Sequence, residues 1–300
     1  MAQIDVPMGE KIFNAWQSWP GTAKWCVAFT VAQIAACVTA HQSYEIGPMY
    51  KSVKEDEMAV FTMTRNALII PMALFTLIAM YQVAEMCSPK PRHRVLVISR
   101  VSMFEFMVKM TYYTLLSRGY GLAFVNQRSF DQRPIYATRW IGWTVAIPTM
   151  LFMNLYPLMD DRKASDALIR LLPQLASSAA YCWSCGLGCI LDDPGMGWFL
   201  NFLGIFAYLV IIADTIAYVG EHIGTTSSPS LKGLSIALKE IMFVVYTAVF
   251  LFGNWGQISS YACQVFYGIT DLSHLAVMCT LLFLYWNTDA SKQESSTKID

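Results

Sequence analysis

Residues 112–150 read YYTLLSRGYGLAFVNQRSFDQRPIYATRWIGWTVAIPTM. Two apolar runs flank a polar break, NQRSFDQR, at 126–133. Followed outward, the first run begins near 98 and the second ends near 159, and each is then long enough to cross a bilayer core, which needs about 20 largely apolar residues per helix. The pattern repeats along the chain. Eight such stretches fall near 21–42, 58–86, 98–124, 138–159, 166–191, 197–221, 237–254 and 258–286. The connections between them are short, polar and rich in turn residues.

Composition agrees with this pattern. The 300 residues carry 21 Lys+Arg against 21 Asp+Glu, 55% are hydrophobic and only 14% are charged. A soluble domain carries about a quarter charged residues, so this chain has too few to solvate a globular surface. It reads as an all-α integral membrane protein in a lipid bilayer. Zero net charge and the lack of a basic stripe exclude nucleic acid as an expected partner. The amphipathic start, MAQIDVPMGEKIFNAWQSWPG, lacks the charged and apolar regions of a signal peptide. The expected layout is an N-terminal segment at 1–20, a transmembrane helix at 21–42, a seven-helix bundle at 58–286 and a short polar tail at 287–300.

Lysine and arginine in short loops set orientation. With the N-terminus in the cytoplasm, twelve fall on the inner side and four, Lys51, Lys54, Arg128 and Arg133, on the outer side. Both termini are therefore expected in the cytoplasm. Most of the eight cysteines lie inside apolar runs, which predicts packing residues rather than a disulfide framework or a metal site.

A charge at the centre of a membrane helix costs at least ~2.5 kcal/mol on insertion scales, so such residues turn inward and mark function or internal ion pairs. The candidates are Arg65, Glu105, Lys109, Arg139, Asp214 and Asp271, with His274 beside the last. Glu105, Lys109 and Tyr113 are spaced by four and share one helix stripe, in the favourable order for a Glu–Lys pair. Arg139 is expected to pair with Asp271. Asp214 and His222 read as a solvated rim, and Arg118 as a residue that reaches outward.

These residues carry a resemblance to the microbial (type I) rhodopsins, the bacteriorhodopsin-like retinal proteins. The features that match are Tyr113, the run Gly119-Tyr120-Gly121-Leu122, Pro134-Ile135-Tyr136, and then Arg139, Trp143 and Pro148 at the family's spacing. Phe243, Tyr246, Phe250 and Gly253 fall where the family has pocket walls and a glycine, and Asp271 matches its second counterion. The resemblance covers about 58 to 286, so it implies a seven-helix rhodopsin-like bundle with one added N-terminal transmembrane helix. Eukaryotic enzyme-linked rhodopsins share that layout. In this sequence the chain stops where their linker and catalytic domain would begin, and no enzymatic activity is expected.

Three positions depart from the family. The lysine that binds retinal, four residues after the acid of the last helix, is Leu275. The primary counterion position, three residues after the arginine, is Gly142, and the cytoplasmic proton-donor position is Met153. Without a carboxylate in either transfer position the usual proton relay is excluded.

Three readings follow. In the first, the protein has no covalent chromophore and is a structural or regulatory subunit, with other membrane subunits or further copies as partners. In the second, the Schiff base has moved to Lys109, the one lysine expected deep in the core, with Glu105 or Asp271 as counterion. In the third, a pocket of Tyr113, Trp143, Pro148, Phe243, Tyr246 and Phe250 beside Asp271 holds retinal, a carotenoid or a lipid without a covalent bond. An ion channel is a further alternative, in which Gly142 and Ala146 widen the core and Arg139 attracts anions.

Overall fold

A computed structural model describes residues 8–49, 53–86, 93–126, 133–159, 164–226 and 228–297. Among them the chain forms α1 (Met8–Ser18), α2 (Gly21–Ser43), α3 (Glu55–Met86), α4 (His93–Ser117), β1 (Ala123–Val125), β2 (Pro134–Tyr136), α5 (Ala137–Leu155), α6 (Ala164–Ile190), α7 (Pro194–His222), α8 (Pro229–Asn254) and α9 (Ser260–Thr297), with a single 3-10 turn after α5 at Tyr156–Leu158. The fold is an all-α bundle of seven helices, α3 to α9, preceded by the added helix α2.

Among the described residues, six helices are long and apolar enough to cross a membrane: α2, the Glu55–Ile78 part of α3, α5 with its 3-10 turn, α7, α8, and the Ser260–Leu284 part of α9. Helices α4 and α6 are equally long but more polar, because they turn their polar residues inward. Ser99, Ser102, Glu105 and Lys109 of α4 are buried, as are Gln174, Ser177, Ser178 and Ser184 of α6.

Two boundaries differ from the sequence reading. The third stretch was expected to stay helical to 124, whereas α4 stops at Ser117. Gly119 sits at φ +77°, and Tyr120 N–H closes back on Leu115 O at 2.9 Å while Gly119 N–H meets Leu116 O at 3.1 Å. This is a glycine C-cap, which leaves the left-handed region to the one residue without a Cβ. The freed residues form a two-stranded antiparallel hairpin, pairing Ala123 with Tyr136, Phe124 with Ile135 and Val125 with Pro134. The second difference is at the C-terminus, where α9 runs on to Thr297 through most of the expected polar tail. At the start of α7, Asp193 accepts from Met196 N–H at 2.6 Å and Pro194 fills the first turn, an N-cap that satisfies an otherwise orphaned donor.

Helices α3, α4 and α9 pack together, α5 lies between α4 and α6, and α2 lies against α6 and α7. The added helix is held by polar contacts as well as apolar ones. Thr22 donates to Asp214 Oδ1 at 2.7 Å and Ser184 to Gln33 Oε1 at 2.9 Å, hydrogen bonds that are favourable where no water competes.

Candidate functional site

The centre of the bundle is a buried charge cluster drawn from α4, α8 and α9. Lys109 Nζ lies 3.1 Å from Glu105 Oε1 and 3.2 Å from Asp271 Oδ1. It is also 3.2 Å from His274 Nδ1, which in turn is 2.8 Å from Glu105 Oε1. Asp271 accepts three phenol hydrogen bonds: from Tyr112 at 2.9 Å and Tyr113 at 2.6 Å on Oδ2, and from Tyr246 at 2.6 Å on Oδ1. Together with Lys109 these donors fill the acceptor sites of the carboxylate. All four charged or titratable members are buried.

Local sequence explains how α4 supplies so much of the cluster. Glu105, Lys109 and Tyr113 follow one stripe at i, i+4, i+8. Tyr112 stands a quarter-turn away and reaches the same carboxylate because Gly142 on α5 leaves room for its ring. A Cβ placed on Gly142 would be 2.3 Å from Tyr112 Cδ1. Position 142 is thus covered by an aromatic ring.

Around the cluster the expected pocket residues form an aromatic stack. Trp143 makes edge contacts with Tyr246 at 5.3 Å, Tyr267 at 5.0 Å and Trp140 at 5.2 Å between centroids. Phe250 meets Trp140 at 5.4 Å and Phe243 lies 6.4 Å from Tyr246. Pro148 lies further along α5 and is half-buried. Leu275 packs on the core, and Met153 Sδ accepts from Ser102 at 3.2 Å.

The expected Arg139–Asp271 pair is not made. Arg139 Nη1 donates to Gln264 Oε1, and its guanidinium lies over the rings of Phe61, Tyr113, Trp143 and Tyr267 at 5.2–5.7 Å. Lys109 has taken the place beside Asp271, and Tyr113 touches both sides: its ring faces Arg139 and its O–H donates to Asp271.

Other expectations change as well. Asp214 is no solvated rim, since it is fully buried and bound by Thr22, by Gln174 at 2.5 Å and by Arg170 at 3.4 Å. His222 stacks on Tyr218 at 4.5 Å. Arg65 donates to Ser117 and Asn66, and Arg118 is exposed. Lys109 is not the one buried lysine: Lys239 is paired with Glu240 at 2.5 Å and lies over Phe243 at 5.6 Å, and Lys232 donates to Pro157 O at 3.1 Å. Both lie in the N-terminal half of α8, on the buried face that also holds Ser235 and Ile236. Sequence reading did not place Tyr112, Gln264 or Tyr267 in the site. The signal for Tyr112 was the glycine opposite, which is visible only once α4 and α5 are paired. Cys182, Cys185 and Cys189 are buried, and no metal-binding group of His, Cys, Asp and Glu occurs among the described residues.

Just before α5 begins, Tyr136 of β2 donates to Glu57 Oε2. Burial, reinforced by the Glu57 charge, pushes its phenol up, so it stays a donor across the ordinary pH range.

The profile of the bacteriorhodopsin-like proteins matches residues 61–291. No curated protein matches the chain. Among solved structures, it is similar to cyanorhodopsin from the cyanobacterium Calothrix sp. NIES-2098, with a TM-score of 0.63, 14% identity, and 76% of this chain and 93% of that one covered. The transmembrane domain and linker region of Salpingoeca rosetta rhodopsin phosphodiesterase gives 0.64 at 13% identity, covering 92% and 89%. The proton-pumping rhodopsin AR2 of the marine alga Acetabularia acetabulum gives 0.64 at 16%, covering 79% and 97%. With the profile spanning most of its length, the chain belongs to the bacteriorhodopsin-like family of multi-pass membrane proteins.

Proposed function

We propose that this protein is a non-pumping, non-enzymatic member of its family that serves as a structural or regulatory subunit in the membrane, with both termini in the cytoplasm. The observation that carries this reading is the environment of Lys109. An ammonium offers three N–H donors, and three atoms of Glu105, Asp271 and His274 stand within 3.2 Å of its nitrogen. A protonated imine has a single N–H, so conversion to a Schiff base forfeits at least one of the two carboxylate contacts in a buried site where unpaired polar groups are costly. The residues at the family's two other key positions support the same reading. Leu275 has no amine, and Tyr112 covers Gly142. Covalently bound retinal therefore does not fit the residues present. The cluster works instead as a charge interlock that ties α4, α8 and α9 together, and a subunit that presents a fixed outer face to a partner requires such rigidity.

One observation favours a second reading: Lys109 Nζ stands beside the carboxylate that acts as a counterion in the family. The deciding experiment adds all-trans retinal to purified protein, records the visible spectrum, reduces with borohydride and maps peptides. We expect no visible band and no adduct. A band with an adduct on Lys109 overturns the subunit reading in favour of a relocated chromophore site, and a band without an adduct favours noncovalent binding. Light-dependent and dark ion flux in liposomes, expected at the level of empty vesicles, tests the pump and channel alternatives.

A further inference from the structure

Helix α1 lies ahead of the first membrane-spanning helix, and its sequence sorts the side chains onto two faces. Phe13 and Trp16 are three residues apart and share one face. Glu10, Asn14 and Gln17 follow one another at i, i+4 and i+7 on a second face, and all three are exposed. Just past the helix Trp19 is buried, its ring set edge-on to that of Trp16 at 5.9 Å between centroids, and α1 packs against α6. The apolar side of α1 is thus covered at one margin and open at the other. Phe13 is 63% exposed and Trp16 43%.

The chain that adjoins the open margin indicates what covers it. Pro20 is in extended backbone, at φ −61° and ψ 162°, so the helix breaks there and α1 does not run on along the axis of α2. Only Trp19 and Pro20 separate the two helices, and the membrane span of α2 begins at Gly21. Helix α1 is therefore held at the level of the lipid headgroups. On α2 itself Trp25, Val31, Ile34 and Val38 are exposed, a surface that faces acyl chains. The aromatic margin of α1 adjoins α2 at Lys24, whose ammonium stands 5.9 Å over the Trp16 ring. Aromatic rings beside a lysine are suited to the border between membrane and water. Glu10 and Lys11 cancel in the α1 sequence, which leaves burial of the rings, rather than headgroup charge, as the source of affinity.

We propose that α1 is an interfacial anchor: its Phe13–Trp16 face inserts ~5–10 Å into the headgroup–acyl border of the leaflet where α2 begins, with phospholipid of any headgroup charge as its partner. The polar face stays in water, so α1 lies along the membrane surface. The anchor is independent of what the central charge cluster does.

The test uses the full chain, freed of its native cysteines and reconstituted in phosphatidylcholine vesicles, with a nitroxide attached in turn to Phe13→Cys, Asn14→Cys and Gln17→Cys. Relaxation by oxygen, which concentrates among acyl chains, is compared with relaxation by a water-soluble nickel chelate. The expected ratio of oxygen to nickel effect is severalfold higher at position 13 than at 14 and 17, and it holds when phosphatidylglycerol replaces part of the lipid. Equal nickel access at all three positions, shielding of position 13 from both reagents, or insertion that requires phosphatidylglycerol overturns the proposal. Should the cysteine-free chain fail to fold, the unaltered protein is photolabelled in vesicles containing a phosphatidylcholine with a diazirine near its ester linkage, and peptides are mapped. Adducts on the peptide that carries Phe13 and Trp16 support the anchor, and labelling confined to the membrane spans rules it out.

Discussion

The ring of Tyr112 rests on the Cα of Gly142 so closely that a Cβ there would stand 2.3 Å from Cδ1 and 2.8 Å from Cε1. This contact between α4 and α5 closes the space beside position 142. It also brings the Tyr112 hydroxyl to Asp271. Tyr112 and Gly142 thus form a single packing unit.

Gly142→Ala should therefore destabilise the protein by ~1–3 kcal/mol, the usual range for overpacking a close-packed site. In a Tyr112→Leu background most of that cost should vanish. A double-mutant cycle by thermal unfolding in detergent checks this, and strictly additive effects would refute the contact.

Lys109 is the cation between two buried carboxylates, and its removal leaves both uncompensated. Lys109→Met should cost ~3–5 kcal/mol. The triple variant Lys109→Met, Glu105→Gln, Asp271→Asn should recover a large part of that loss, because neutral amides can still take up the tyrosine and histidine hydrogen bonds. Unfolding midpoints of the single and triple variants are the measurement.

Asp214 joins the added helix to the bundle through Thr22, Gln174 and Arg170. Asp214→Leu should loosen α2 locally while the remaining bundle holds, since α2 has no part in the central cluster. Hydrogen exchange resolved by peptide should show faster exchange confined to α2 and the facing segments of α6 and α7. Uniform acceleration over the whole chain would count against this.

Orientation can be tested directly. Single cysteines placed at position 3 and position 298 of an otherwise cysteine-free chain should react with a membrane-impermeant maleimide only after the cell is permeabilised. A cysteine at position 129 should react without permeabilisation. The opposite pattern would reverse the orientation drawn from the loop charges.

The sequence by itself determined that the chain lives in a membrane, how many apolar stretches it has, and which family it belongs to. Hydropathy and short polar breaks are local properties, and the motif around Arg139 and Trp143 is carried by spacing along one helix. The Glu105–Lys109 pair was legible for the same reason, because i, i+4 neighbours meet on any helix. Only the tertiary structure decided what Lys109 and Arg139 do. Lys109 and Asp271 are separated by 162 positions, and no periodicity within α4 or α9 reveals that they meet. Arg139 was expected on Asp271 and meets Gln264 instead, because Lys109 and three tyrosines fill that carboxylate. The burial of Asp214 and Lys239 likewise depends on which helix covers them. Charge in a low-dielectric interior is settled by the nearest partner in space, which is a property of the packed helices and not of any one of them.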